Sequence, residues 1–174
     1  AVNHTYTFCK KDMCPLFVGK RRRHISGDLD EKEYPRMSSS PETLALAYDQ
    51  TCNLFCRTCR EKIFIPTGEY KQKQKELTEN LIKNYLPDVQ FLILAGDGEV
   101  FASPSYRKIY SAKECEKIRY IRLLSNGLLF NEHNWKELRR NKDAKVMLTV
   151  SIDAATKATY ENIRRGGDFL KLKK

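Results

Sequence analysis

Four short apolar runs limit how this chain can fold. They are Leu44–Tyr48, Val89–Ala95, Tyr120–Leu124 and Val146–Ile152, and each leads into a loop and then a stretch with helical spacing. After the first run, Leu77, Leu81, Ile82, Tyr85 and Leu86 recur at three- and four-residue steps, predicting a helix over about 70–86 that Pro87 ends. Ser103-Pro104 predicts a helix over roughly 104–112, with serine as N-cap and proline at the first position. Asn131–Arg140 and Ala155–Arg165 predict two more, the last closed by Gly166-Gly167. Strands this apolar, alternating with helices, predict an α/β chain with a parallel sheet covered by helices. Ligands gather at the carboxyl ends of such strands. The loops there hold the chain's most distinctive residues: a cysteine group, Gly96-Asp97-Gly98-Glu99, Ser125-Asn126-Gly127 and Ser151-Ile152-Asp153.

Of the 174 residues 41% are hydrophobic and 31% charged, so a buried core can form and global disorder is excluded. Lysine and arginine exceed the acids 32 to 22, but this excess of +10 is spread along the chain and forms no cationic tail. The longest apolar stretch, Phe91–Ala95, is far below a bilayer span, and no charged-then-apolar signal opens the chain. The reading is a cytoplasmic chain with no membrane partner. Because Ala1 is not an initiator methionine, we expect the sequence to be cut from something longer. Residues 1–40 lack helical or strand period and predict an irregular segment and linker. They carry Cys9, Cys14, the basic run Arg21–His24 and a serine-rich end, with the regular domain over 41–174.

Three of the six cysteines crowd into Cys52-Asn53-Leu54-Phe55-Cys56-Arg57-Thr58-Cys59. A disulfide between two of them would leave the third alone, and a tight thiol group in a chain without an export signal favours a metal. A structural zinc site wants four ligands, commonly in Cys-x2-Cys pairs. A [4Fe–4S] cluster can take three cysteines and leave one iron open to a small ligand, which a catalytic cluster needs.

With this motif after the first strand, residues 42–172 resemble the radical S-adenosylmethionine (radical SAM) superfamily. Leu94–Pro104, Leu124–Gly127, Val150–Thr156 and Tyr160–Gly167 strengthen the resemblance. It implies a (β/α)6 core, of which about four βα units are present, giving an incomplete parallel (β/α) barrel. The expected cofactors are a [4Fe–4S] cluster on Cys52, Cys56 and Cys59 and S-adenosylmethionine chelating the open iron. One electron, from a donor such as a flavodoxin or ferredoxin, would split the sulfonium to methionine and a 5′-deoxyadenosyl radical that abstracts a substrate hydrogen. Carried over residue by residue, Gly96, Gly98 and Glu99 would hold the methionine ammonium. Ser125, Asn126, Ser151 and Asp153 would meet the ribose and methionyl end, and Arg164 the methionine carboxylate. Thr58 departs from the aromatic residue common before the last cysteine.

Tyr6–Pro15, with Cys9 and Cys14, resembles the tail of the auxiliary-cluster segments of SPASM-type radical SAM proteins, which implies peptides among the substrates and a second Fe–S cluster. Two cysteines do not hold a cubane, so its other ligands would lie upstream, and two unrelated loop thiols are the alternative. Cys115, in a charged loop, is given no role, and His4, His24 and His133 read as surface residues. Trp135 and Leu138 read as helix-to-sheet packing. Two other function classes compete: a zinc-binding nucleic-acid module, disfavoured by the spacing and by the lack of an aromatic platform among the basic residues, and an inactive remnant that only binds a partner.

Overall fold

The computed structural model describes residues 41–94, 96 and 98–173. Cys9, Cys14 and the basic run Arg21–His24 lie outside the described residues, as do Ala95 and Asp97. The expected strands form one four-stranded parallel sheet in chain order. They are β1 (Thr43–Leu46), β2 (Phe91–Leu94), β3 (Tyr120–Ser125) and β4 (Lys145–Val150). Leu46 pairs with Leu94, Leu94 with Leu123, and Leu123 with Leu148, so the carboxyl ends of the four strands stand side by side. The helices between them are α1 (Gly68–Asn84), α2 (Pro104–Tyr110) and α3 (Glu132–Glu137); α4 (Lys157–Ile163) follows β4, with a short α5 (Phe169–Leu172) that sequence spacing did not predict.

The alternation of burial along the strands decides which face carries the core. Leu92, Leu94, Ile121 and Leu123 are closed to water and pack with Leu86, Val89, Ile109, Tyr110 and Ile118. On the other face Phe91, Arg122 and Met147 are exposed. Among the described residues the packed helices therefore cover one face of the sheet, as an incomplete (β/α) barrel requires. A side chain at every second position points away from the helices whatever its hydrophobicity.

The predicted N-cap holds: the Ser103 hydroxyl accepts the Tyr106 N–H at 2.9 Å, with Pro104 in the first turn. One expectation is corrected. The inner side of α1 is lined by Gln74 and Thr78, with Leu81 and Ile82 packed on the core, while Leu77 and Tyr85 are exposed. The Thr78 hydroxyl lies 2.7 Å from that of Tyr48, and this hydrogen bond suits a polar residue to that position. Cys115 sits in a 3-10 turn, wholly buried, and its thiol donates to the Ile109 carbonyl at 3.1 Å. It is a core residue, and burial pushes its thiol up to about 12. Trp135 and Leu138 pack on the main core as expected, and His133 is exposed beside Glu137.

Candidate functional site

The loop after β1 is set by Asp49. Its carboxylate accepts the Thr51 N–H at 2.9 Å and the Ser103 hydroxyl at 2.5 Å, while its own N–H donates to the Tyr106 hydroxyl at 3.2 Å. Burial pushes the Asp49 carboxyl up, but its hydrogen bonds from Ser103 and Thr51 outweigh that and hold it below the usual value. The Thr51 carbonyl then accepts the Glu99 N–H at 2.8 Å, which ties the loops after β1 and β2 together. Both glycines of the second loop serve this close approach. Gly96 has φ +128, and a Cβ there would lie 2.7 Å from that of Ala47; at Gly98 it would strike the Asp49 carbonyl. Their bareness is required by the chain's own packing.

Beyond Thr51 the loop turns twice. The Leu54 N–H donates to Cys52 Sγ at 3.4 Å, and the Cys59 and Arg60 N–H groups both donate to the Cys56 carbonyl at 3.0 Å. The result is that all three thiols line one pocket, Cys56 buried, Cys52 half-buried and Cys59 exposed. Burial pushes the thiols of Cys52 and Cys56 up; the Leu54 N–H and Arg60 oppose this at Cys52, and Arg164 opposes it at Cys56. Metal binding needs thiolates, so these two cations favour the form that binds.

Gly96, Gly98, Glu99, Ser125, Asn126, Ser151 and Arg164 line the same pocket. Glu99 is 1% exposed. Its Oε1 accepts the Ser125 hydroxyl at 2.7 Å and the Phe101 N–H at 3.2 Å, and its Oε2 accepts the Asn126 N–H at 2.6 Å. Burial still pushes its carboxyl up, against those hydrogen bonds and the charge of Arg164. An ionised Glu99 here is costly by itself, and a cation entering the pocket would offset the cost.

Arg164 reaches the pocket from the end of α4 because two backbone bonds clamp that end to the cysteine loop. The Phe55 N–H donates to the Arg165 carbonyl at 3.1 Å and the Arg57 N–H to the Ile163 carbonyl at 2.9 Å. Arg164 Nη2 lies 2.7 Å from Asp153 Oδ2, while its buried Nε has no partner. Asp153 itself does not line the pocket. It takes a left-handed φ of +64, rare for a residue with a Cβ, and its carboxylate acts on the pocket through Arg164.

Sequence reasoning missed Asn53, whose Oδ1 accepts from Asn126 Nδ2 at 2.8 Å and joins the cysteine loop to the end of β3. Its place directly after Cys52 was the available signal. It also missed Asp49 and the pocket-lining Arg60.

Among the described residues no three His, Cys, Asp or Glu side chains converge as they would on a single metal ion. An iron–sulfur cluster asks for a different arrangement, one thiolate for each of three irons around an open pocket. Three thiols, an unsatisfied guanidinium nitrogen and a caged carboxylate in one pocket fit such a cluster with a zwitterionic ligand beside it. A family model described as the radical SAM superfamily matches residues 50–174, well over half of the chain. The match begins just before Cys52 and takes in every residue of the pocket. No curated protein matches the chain.

Proposed function

The chain belongs to the radical SAM superfamily, and on that premise we propose that Cys52, Cys56 and Cys59 hold a [4Fe–4S] cluster beside which S-adenosylmethionine binds. Membership implies iron–sulfur- and adenosylmethionine-dependent radical chemistry in general. When bound and reduced, the cluster supplies the electron that splits the sulfonium to methionine and a 5′-deoxyadenosyl radical. The protein's part is to position and to exclude. Glu99 offers its remaining acceptor capacity to the methionine ammonium, a charge-assisted hydrogen bond of the stronger kind. Arg164, with its Nε unpaired and Asp153 fixing Nη2, meets the methionine carboxylate. Gly96 and Gly98 border the ammonium beside Glu99, and Ser125, Asn126 and Ser151 frame the ribose and methionyl end.

In the same proposal an external one-electron donor, a flavodoxin or ferredoxin, reduces the cluster in the cytoplasm. Peptides are the proposed substrates, residues 1–40 form a SPASM-like segment, and Cys9 and Cys14 contribute to a second cluster with ligands from elsewhere. No helix among the described residues is long and apolar enough to cross a membrane.

The observation that carries the reading is that the loops after β1 and β2 and the end of α4 bring the three thiols, Glu99 and Arg164 to one pocket. Anaerobic reconstitution tests it, followed by dithionite reduction with S-adenosylmethionine. We expect four irons and four sulfides per pocket, broad brown absorbance and release of 5′-deoxyadenosine. A colourless zinc protein would favour the nucleic-acid module instead. A cluster with no cleavage would favour the remnant that only binds a partner.

A further inference from the structure

A second cavity lies behind the cysteine loop and shares no lining residue with the pocket of the three thiols. It is an open hollow of about 490 Å³, within the size range of small-molecule sites. Its walls come from Asp49 and Thr51, from Ile65 and Pro66, from the outward-running turns of α1, and from the start of α2. Its chemistry is lopsided. Lys71 and Lys75, one turn apart on α1, have no carboxylate partner, whereas Lys73 of the same helix pairs with Glu69 at 2.6 Å. Gln74 also lines the cavity and is only 7% exposed, yet its amide nitrogen has no acceptor. The buried hydroxyl of Thr51, which also lines the cavity, has no partner either.

Buried polar groups are nearly always satisfied, so two orphans bordering one cavity call for a missing partner. Both orphans can donate, an amide N–H and a hydroxyl, and the two exposed ammonium groups beside them add donors of positive charge. The single carboxylate in the wall, Asp49, is already engaged by Thr51 and Ser103 and does not compete for them. Ile65, more than half exposed, and Pro66 supply an apolar flank. We propose that this cavity binds an anionic oxygen group, carboxylate or phosphate, carried on an apolar body, with Lys71, Lys75, Gln74 and Thr51 as its donors. The site sits one residue from Cys52, and Thr51 also accepts the Glu99 N–H, so an occupant would touch the backbone that joins the cluster loop to Glu99.

The proposal stands apart from the radical SAM reading and is tested without cluster or adenosylmethionine. The full 174-residue chain, labelled with nitrogen-15, is titrated with phenyl phosphate and with benzoate, and with benzyl alcohol as the neutral control. We expect saturable shifts of the Gln74 side-chain amide and the Thr51 amide with at least one of the two anions and none with the alcohol. In a Lys71→Gln/Lys75→Gln variant, which alters only exposed side chains, affinity should fall at least tenfold. The stronger of the two anions identifies the headgroup. Shifts that never saturate and spread over lysines around the surface, or equal affinity in the double variant, would overturn it. Failure to bind adenosylmethionine would leave these results untouched, and failure of the anions would leave the cluster assignment untouched.

Discussion

The core behind the sheet and the pocket at its carboxyl edge both bury side chains and are made of opposite materials. Behind the sheet, Leu92, Leu94, Ile109, Ile121 and Leu123 are wholly buried, and none of these five side chains carries a polar atom to compensate. At the edge the buried groups are Glu99, Ser125, Asn126 and Arg164, and each is held by specific hydrogen bonds or an ion pair. Burial in the first region stabilises at roughly 25 cal/mol per Å² of apolar surface. Burial in the second opposes folding unless every lone pair and charge is answered. The core therefore holds the strands in register, and the pocket keeps charges poised that only a ligand fully answers. Changes in the pocket should alter what binds more than how firmly the chain folds, and changes in the core should do the reverse.

The largest effect expected on that comparison is all-or-none. Cys56→Ala leaves two thiolates, too few to hold a cubane against solvent and oxygen, so reconstituted iron and sulfide should fall to background. The apo fold should persist, because Cys56 belongs to a small apolar group with Leu54 and Leu128 rather than to the main core. Iron retained by the variant at the level of the unmodified chain would remove Cys56 from the ligand set.

The core supplies the second test. Leu123→Ala, in a central strand, should cost about 2–5 kcal/mol in urea unfolding of the apo chain, the range for truncating a buried leucine. Leu148→Ala, its partner in β4, is only partly buried and should cost less. Equal costs would mean that β4 is covered as fully as β3, contrary to the exposure of Met147 and Val150.

The two regions were unequally legible in the sequence. The alternation of apolar runs and helical spacing placed all four strands, and Ser103-Pro104 at the start of α2 predicted its cap, because both signals are local. Pocket membership was also readable for most residues, since strand-end loops of a parallel sheet converge by topology. What sequence could not show was the wiring. The clamp from Phe55 to Arg165 that delivers Arg164, and the bond between Asn53 and Asn126, join residues far apart in the chain. Misreadings have the same origin. Charged neighbours hid the burial of Cys115, and leucine spacing on α1 hid that Thr78 faces inward to meet Tyr48. Gly96 and Gly98 were expected at a ligand's approach, yet their immediate constraint is the backbone of residues 47–51.

Glu99→Gln separates binding from folding. Losing a charge-assisted hydrogen bond of about 1.5–3 kcal/mol should weaken adenosylmethionine roughly tenfold or more in calorimetry of the reconstituted chain. Apo stability should change by no more than about 1 kcal/mol, because glutamine keeps part of the cage and removes a costly buried charge. Unchanged affinity would release Glu99 from the cofactor and leave it as a strut between the loops after β2 and β3.

The smallest effect is in pH dependence, where the two buried carboxyls should slope in opposite directions. Burial raises the folded pKa of Glu99 above its ordinary value near 4.5, so its contribution to stability is complete below that value and is lost as pH rises through the folded pKa. Asp49 is the reverse. Burial is outweighed there by hydrogen bonds, the folded pKa lies below 3.8, and its contribution is present above 3.8 and lost as pH falls through the folded value. Urea midpoints of the cluster-free chain should therefore fall relative to Glu99→Gln as pH climbs above about 4.5, and fall relative to Asp49→Asn as it drops below about 3.8. Adding S-adenosylmethionine to the reconstituted chain should flatten the first slope, since the ammonium answers the Glu99 charge, and leave the second alone, since Asp49 does not line that pocket. Parallel slopes for the two variants, or a ligand effect on the Asp49 arm instead, would mean that the cost of buried charge is not concentrated at the pocket.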